Sequence, residues 1–130
     1  MKLSLFGLLL AVSMNVFSNT NMEGEACSQI TKVCANYHTD VPFTTAQENR
    51  FKLVLTSSDG KAVSFLKADL WMQMGGHGHG SSPLKITQLG PQEFDITKAY
   101  FVMKGSWQVR VTYSQDGQQE MLIIPVTITQ

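Results

Sequence analysis

The sequence predicts an all-β fold: an antiparallel sandwich of about seven strands, carried behind a signal peptide and a short cysteine-containing segment. Three observations lead there. Short runs of alternating apolar and polar residues recur from Arg50 onward, two Asp-Gly pairs punctuate them, and no amphipathic stretch longer than a few helical turns is visible after residue 36. Period-2 alternation is what a strand with one buried face requires, because successive side chains point to opposite sides. Strands at intervals of about 8–12 residues are the pattern of an immunoglobulin-like sandwich.

The first eighteen residues read as a targeting segment. Lys2 supplies a positive start, Leu3 to Val12 is an apolar run broken only by Ser4 and Gly7, and Val16 and Ser18 are small residues at the spacing signal peptidase uses. Cleavage is expected after Ser18. The competing reading is a retained anchor, but the run is short against the roughly 20 apolar residues a membrane span needs. No Leu-x-x-Cys lipobox precedes Cys27. The expected organisation is residues 1–18 as signal, 19–49 as an N-terminal segment with Cys27 and Cys34, and 50–130 as the sandwich.

Export gives the two cysteines meaning. An oxidising compartment favours a disulfide between Cys27 and Cys34. Yet Ala26, Cys27, Ile30, Val33 and Cys34 also fall at helical spacing. Seven residues of helix span about 10.5 Å, beyond the roughly 7 Å Cα limit for a disulfide. The pair can bridge only if this stretch is not one continuous helix. A thiolate metal site is the alternative use of the same residues.

The strands follow in order. Phe51, Leu53 and Leu55 alternate with polar neighbours, and Ser58-Asp59-Gly60-Lys61 reads as a type I′ hairpin turn. Ala62 to Met74 is a longer strand whose apolar residues change parity, so a bulge is expected near Lys67–Ala68. The glycine- and histidine-rich stretch Gly75–Pro83 reads as a loop. Leu84 and Ile86 begin a short strand ending at Gly90-Pro91, and Phe94 to Met103 forms another. Lys104-Gly105-Ser106 links it tightly to Trp107–Tyr113, and Asp116-Gly117 turns into Met121–Ile128. Pro125, which cannot donate to a ladder, marks that last strand as an edge.

Composition excludes several function classes. Ten basic and ten acidic residues leave no net charge, which removes the electrostatic case for nucleic acid or an anionic membrane as the main partner. No phosphate loop, nucleotide fingerprint or Gly-x-Ser-x-Gly elbow is present. Tyr37-His38-Thr39-Asp40 offers a His–Asp pair without a partnered nucleophile. The protein is not expected to be an enzyme.

One dense cluster of chemistry-bearing residues remains, Leu70 to Pro83. Met72, Met74, His77 and His79 lie within eight residues, among Gly75, Gly76, Gly78 and Gly80. Thioethers select soft Cu(I), whereas imidazole serves Cu(I), Cu(II) and zinc. His77 and His79 are two apart, so in an extended chain they share a face and both can ligate. The plainer reading also stands: methionine is a common core filler, and a glycine-rich stretch with two histidines is often a solvated turn.

Trp71-Met72 with Gly78-His79-Gly80-Ser81-Ser82-Pro83, followed by Phe101-Val102-Met103-Lys104-Gly105-Ser106-Trp107 and Gln108-Val109-Arg110-Val111, resembles the YtkA-like/FixH-like family. The resemblance covers roughly residues 50–114. It implies an exported or membrane-anchored immunoglobulin-like domain with a link to copper, FixH-like members being associated with assembly of copper-containing terminal oxidases. By position, Met72 or Met74, His79 and Met103 match the family's motif residues, with His77 near its second methionine. The chain departs from the pattern at Gln73, where proline is usual, and by two extra residues between Trp71 and His79. If the strand ending at Met103 neighbours the one ending at Met74, both thioethers sit at the rim that carries the histidines; Met103 reads equally as a core side chain. Gly105 and Trp107 read as structural.

The expected function is a periplasmic or secreted protein that binds or handles copper through Met72, Met74, His77, His79 and Met103. Its partner is the copper ion or a copper-dependent envelope protein, with no stable membrane span once the signal is removed. The alternative is a metal-free interaction module that assists assembly of an envelope complex.

Overall fold

The computed structural model describes residues 21–130, so the signal-peptide expectation for residues 1–18 lies outside the described residues. The described chain forms nine strands: β1 (Glu23–Cys27), β2 (Val33–His38), β3 (Asn49–Ser57), β4 (Ser64–Met74), β5 (His77–Gly80), β6 (Lys85–Gly90), β7 (Glu93–Ala99), β8 (Gly105–Gln115) and β9 (Gln118–Ile128). They pair antiparallel into two sheets, of order β1-β2-β3-β7-β6 and β5-β4-β8-β9. Setting β1 aside as an added edge, β2-β3-β7-β6 facing β5-β4-β8-β9 reproduces the A-B-E-D and C′-C-F-G orders of an immunoglobulin-like sandwich.

Alternation explains the core. On β3, Phe51, Leu53 and Leu55 are buried while Lys52 and Thr56 are exposed; on β8, Trp107, Val109, Val111 and Tyr113 point inward. Leu122, Ile124, Val126 and Ile128 of β9 complete the inner face opposite Val33, Ala35 and Tyr37 of β2. The parity change on β4 is met by a register shift between Phe65 and Lys67, which leaves Leu66 outside and returns Ala68, Leu70 and Met72 to the core. Pro125 lies on β9, an edge strand of its sheet.

Nine strands rather than about seven arise from two places. β1 and β2 lie in the stretch that the sequence sets ahead of the sandwich, yet both belong to the first sheet. The helical spacing of Ala26 to Cys34 is overridden: the stretch is a hairpin in which Cys27 and Cys34 are direct cross-strand partners, with Cα atoms 4.0 Å apart, and they form a disulfide. The second place is β5, four residues of the expected glycine/histidine loop that pair with β4.

Two expected connections and one strand end are corrected. Asp59-Gly60 does not close a hairpin, because β3 and β4 lie in different sheets. Only Gly60 takes a positive φ (71°), while the Asp59 carboxylate accepts hydrogen bonds from Ser57 Oγ and the Lys61 amide. That self-capping makes an Asx turn instead of a type I′ turn. Asp116-Gly117 does form the type I′ hairpin, with φ of 52° and 77°, and Gln115 pairs with Gln118 across it. The strand expected over Phe94–Met103 stops at Ala99, and Tyr100–Lys104 crosses between sheets, so Lys104–Ser106 is no tight link between neighbours.

Candidate functional site

The β4–β5 hairpin carries four of the five expected donors, and its register decides their relation. Met72 is the direct partner of His79, and Met74 of His77. Partners in an antiparallel pair present their side chains on the same face, with Cβ atoms about 4.5–5.5 Å apart. Met72 is also the partner of Trp107 on β8, and both are buried. The shared face is therefore the inner one, at the end of the sandwich where β4 finishes.

Depth grades along this face. Met72 is 7% exposed. Its terminal methyl lies so close over Gly105 that a Cβ there would stand 2.7 Å from it. Gly105, at φ 136°, supplies a backbone that side-chain-bearing residues rarely adopt and the space the thioether occupies. Met74 is partly buried against the core, His79 is partly buried, and His77 is exposed at the turn. The His79 ring meets the Trp107 ring edge-on with centroids 6.1 Å apart. From Trp107 an aromatic column continues inward through Phe101 and Phe43 to Tyr37, with centroid separations of 5.3, 5.0 and 5.4 Å.

Met103 reaches this end by a different route from the one expected. It is not on a strand beside β4: β7 belongs to the opposite sheet and ends four residues earlier. Instead Trp107 Nε1 donates to the Met103 carbonyl at 2.8 Å, which pins the crossing segment beside the ring that His79 touches. The Met103 side chain is 40% exposed, so it is not the core filler that the plainer reading made of it.

Residues outside the expected donor set hold the hairpin in shape. Gln73 donates through Nε2 to the carbonyls of Gly75 and His77, at 3.1 and 3.4 Å, and its Oε1 accepts from Trp71 Nε1 at 3.3 Å. A side chain that bonds both sides of the turn stands where the resembled pattern has proline. On the outer face the Trp71 indole lies over Gly78, where a Cβ would come within 2.5 Å of Nε1. The Arg110 guanidinium sits 4.3 Å from the Trp71 ring centroid and donates to Asp69 at 2.7 Å. These contacts fix β4 against β8 from outside. Gln73 had a sequence signal as the departure from proline, and Trp71, Gly78 and Arg110 as parts of the quoted motifs, while Asp69 had none.

Chemically, two thioethers and two imidazoles on one face are the donor types that a soft or borderline cation takes, and the Met103 backbone is held at the same end. The His38–Asp40 pair is unlike it: the groups are 3.5 Å apart but 61% and 100% exposed, a solvated surface contact.

Fold and rim together define a small immunoglobulin-like sandwich with soft donors on the inner face at one end. The chain matches the family model described as YtkA-like over residues 29–112 and belongs to that family. The matched region starts before residue 50 and so takes in β2 as well as the strands that carried the resemblance. No curated protein and no solved structure matches it.

Proposed function

We propose that this YtkA-like protein binds copper outside the cytoplasm and holds or delivers it without catalysing a reaction. The observation that carries the reading is the register of β4 and β5, which pairs Met72 with His79 and Met74 with His77 on one face. Thioether donors favour Cu(I), and the imidazoles allow a change to Cu(II). His77 and His79, at the outer end of the depth gradient, are the entry ligands. Met103 caps the site from the crossing segment. The Cys27–Cys34 disulfide supports an oxidising compartment, and no helix among the described residues is long and apolar enough to cross a membrane.

The test is competition titration of the chain with Cu(I) and Cu(II), read by chelator displacement and by Trp107 fluorescence, since a metal on His79 lies against that ring. Affinity tighter than micromolar is expected, with a loss of at least tenfold in His77→Ala/His79→Ala. Weaker binding, or no change in the double variant, rejects copper as the ligand.

A second reading, a metal-free assembly module, draws on the outer face of β9, where Met121 and Ile123 are 42% and 45% exposed beside Pro125. A partner that co-purifies stoichiometrically, and stays bound in chelator, favours that reading over the first.

A further inference from the structure

We propose that the β1–β2 hairpin is a second, redox-gated metal site, in which reduced Cys27 and Cys34 join Glu25 to hold one thiophilic divalent cation of the zinc class. One donor atom from each of these three residues lies within 4.8 Å of the others. Glu25 and Cys27 are two apart on β1 and so share its outer face, and Cys34 is the direct partner of Cys27. The site stands apart from the methionine/histidine rim, at the end of the sandwich where Ser28 bonds Glu120.

The oxidised form already brings the carboxylate against the sulfur. A Glu25 carboxylate oxygen lies 3.4 Å from Cys27 Sγ, yet a disulfide sulfur has no proton to donate to it. Two ligands on a tetrahedral zinc, one thiolate at about 2.3 Å and one carboxylate oxygen at about 2.1 Å, stand roughly 3.6 Å apart. The Glu25–Cys27 edge of such a site is thus already in place. Opening the two sulfurs to about 3.7 Å completes the three-donor face, a side-chain rotation for partners whose Cα atoms are 4.0 Å apart. Water supplies the fourth ligand, as in sites with three protein donors. Copper(I) held by two thiolates would leave the carboxylate without a role.

Access and tolerance also favour reduction. Cys27 is exposed, and exposed disulfides are the labile ones. Beneath the pair the core is independent of it: Val33 and Ala35 are fully buried, and β2 is paired along its length with β3. The reductant is a dithiol. Its thiolate attacks one sulfur and the S–S bond breaks; the second thiol then displaces the mixed disulfide. Two electrons pass to the protein, the reductant leaves as its own disulfide, and both cysteines end as thiols. The cation then displaces two protons to solvent and bonds both sulfurs and the carboxylate.

The experiment uses the full chain carrying His77→Ala/His79→Ala, so that failure at the copper rim and failure here are separable. Oxidised and dithiol-reduced samples, freed of reductant, are titrated with Zn²⁺ against a chromophoric chelator while released protons are counted. One Zn²⁺ is expected per reduced chain with two protons released, none at this affinity in the oxidised chain, and at least tenfold weaker binding in reduced Glu25→Gln. Near-UV circular dichroism of the reduced chain should match that of the oxidised one. Unfolding on reduction, equal binding in both redox states, or unchanged affinity in Glu25→Gln each overturns the proposal.

Discussion

At the end of the sandwich where β8 turns into β9, the sheets are joined by oxygen. Ser28 Oγ and the Tyr113 hydroxyl donate to the two oxygens of Glu120, each at 2.8 Å, and Thr31 Oγ1 lies 2.6 Å from the Tyr113 hydroxyl. These bonds tie the β1–β2 turn to the β8–β9 hairpin, and the disulfide lies beside them. At the other end the joining groups are rings and thioethers: Phe43, Phe101 and Trp107 packed in a column of tilted and edge-on contacts, with Met72 over Gly105 and His79 against Trp107. The contrast shows how one small fold divides its labour. Directional hydrogen bonds hold one end, while polarizable sulfur and ring edges pack the other.

The largest expected effect falls at the ring-packed end. Trp107→Ala removes a fully buried indole from the outer end of the column and should cost about 3–5 kcal/mol in urea unfolding. A loss below about 1 kcal/mol would show that the column does not support that end. Gly105→Ala comes next. It forces a side chain into positive φ and onto the Met72 methyl, and should cost about 1–3 kcal/mol. Pairing it with Met72→Ala should recover the steric part of the loss and leave the backbone part. No recovery would mean that Met72 is not what the glycine accommodates.

Glu120→Gln tests the oxygen-joined end. The hydrogen bond from Tyr113, and then that from Ser28, holds the Glu120 carboxyl below its ordinary value against an opposing desolvation. A group whose folded pKa is depressed contributes stability that is present above its unfolded pKa and lost as pH falls through the folded one. The variant should therefore lose about 1–2 kcal/mol at neutral pH and converge with the parent chain in acid, below the ordinary carboxylate range. A difference that stays constant with pH would remove the carboxylate's charge from the explanation. The smallest stability change is expected for His77→Ala/His79→Ala, within about 0.5 kcal/mol of the parent chain, although this is the variant expected to lose copper. A large destabilisation there would assign the histidines to packing.

The two Asp-Gly pairs show how far local reading reaches. Asp116-Gly117 lies between strands that pair with each other, so its preference for positive φ at both positions is used as a type I′ turn. Asp59-Gly60 has the same local chemistry but lies between strands of different sheets, and the Asp59 carboxylate caps its own backbone instead. Met72, Met74, His77 and His79 were legible as a cluster because they are close in sequence. Their pairing was not, because a one-residue change of register reverses which face each side chain takes. Met103 shows the limit most plainly. It reaches the rim through a backbone bond to Trp107, and no alternation pattern encodes that.

By itself the sequence determined an all-β chain, the inward residues of β3, β8 and β9, the edge position of Pro125 and the parity change on β4. Each of these is a local consequence of period-2 alternation or of a side chain's own stereochemistry. Tertiary structure alone decided that Cys27 and Cys34 face each other across a hairpin although their spacing suits a helix. It also decided that His77–Gly80 is a strand and that the soft donors gather on an inner face at the end away from the oxygen-bonded clasp. Those outcomes depend on which strands become neighbours, and strand pairing is set by burying two whole sheets against each other.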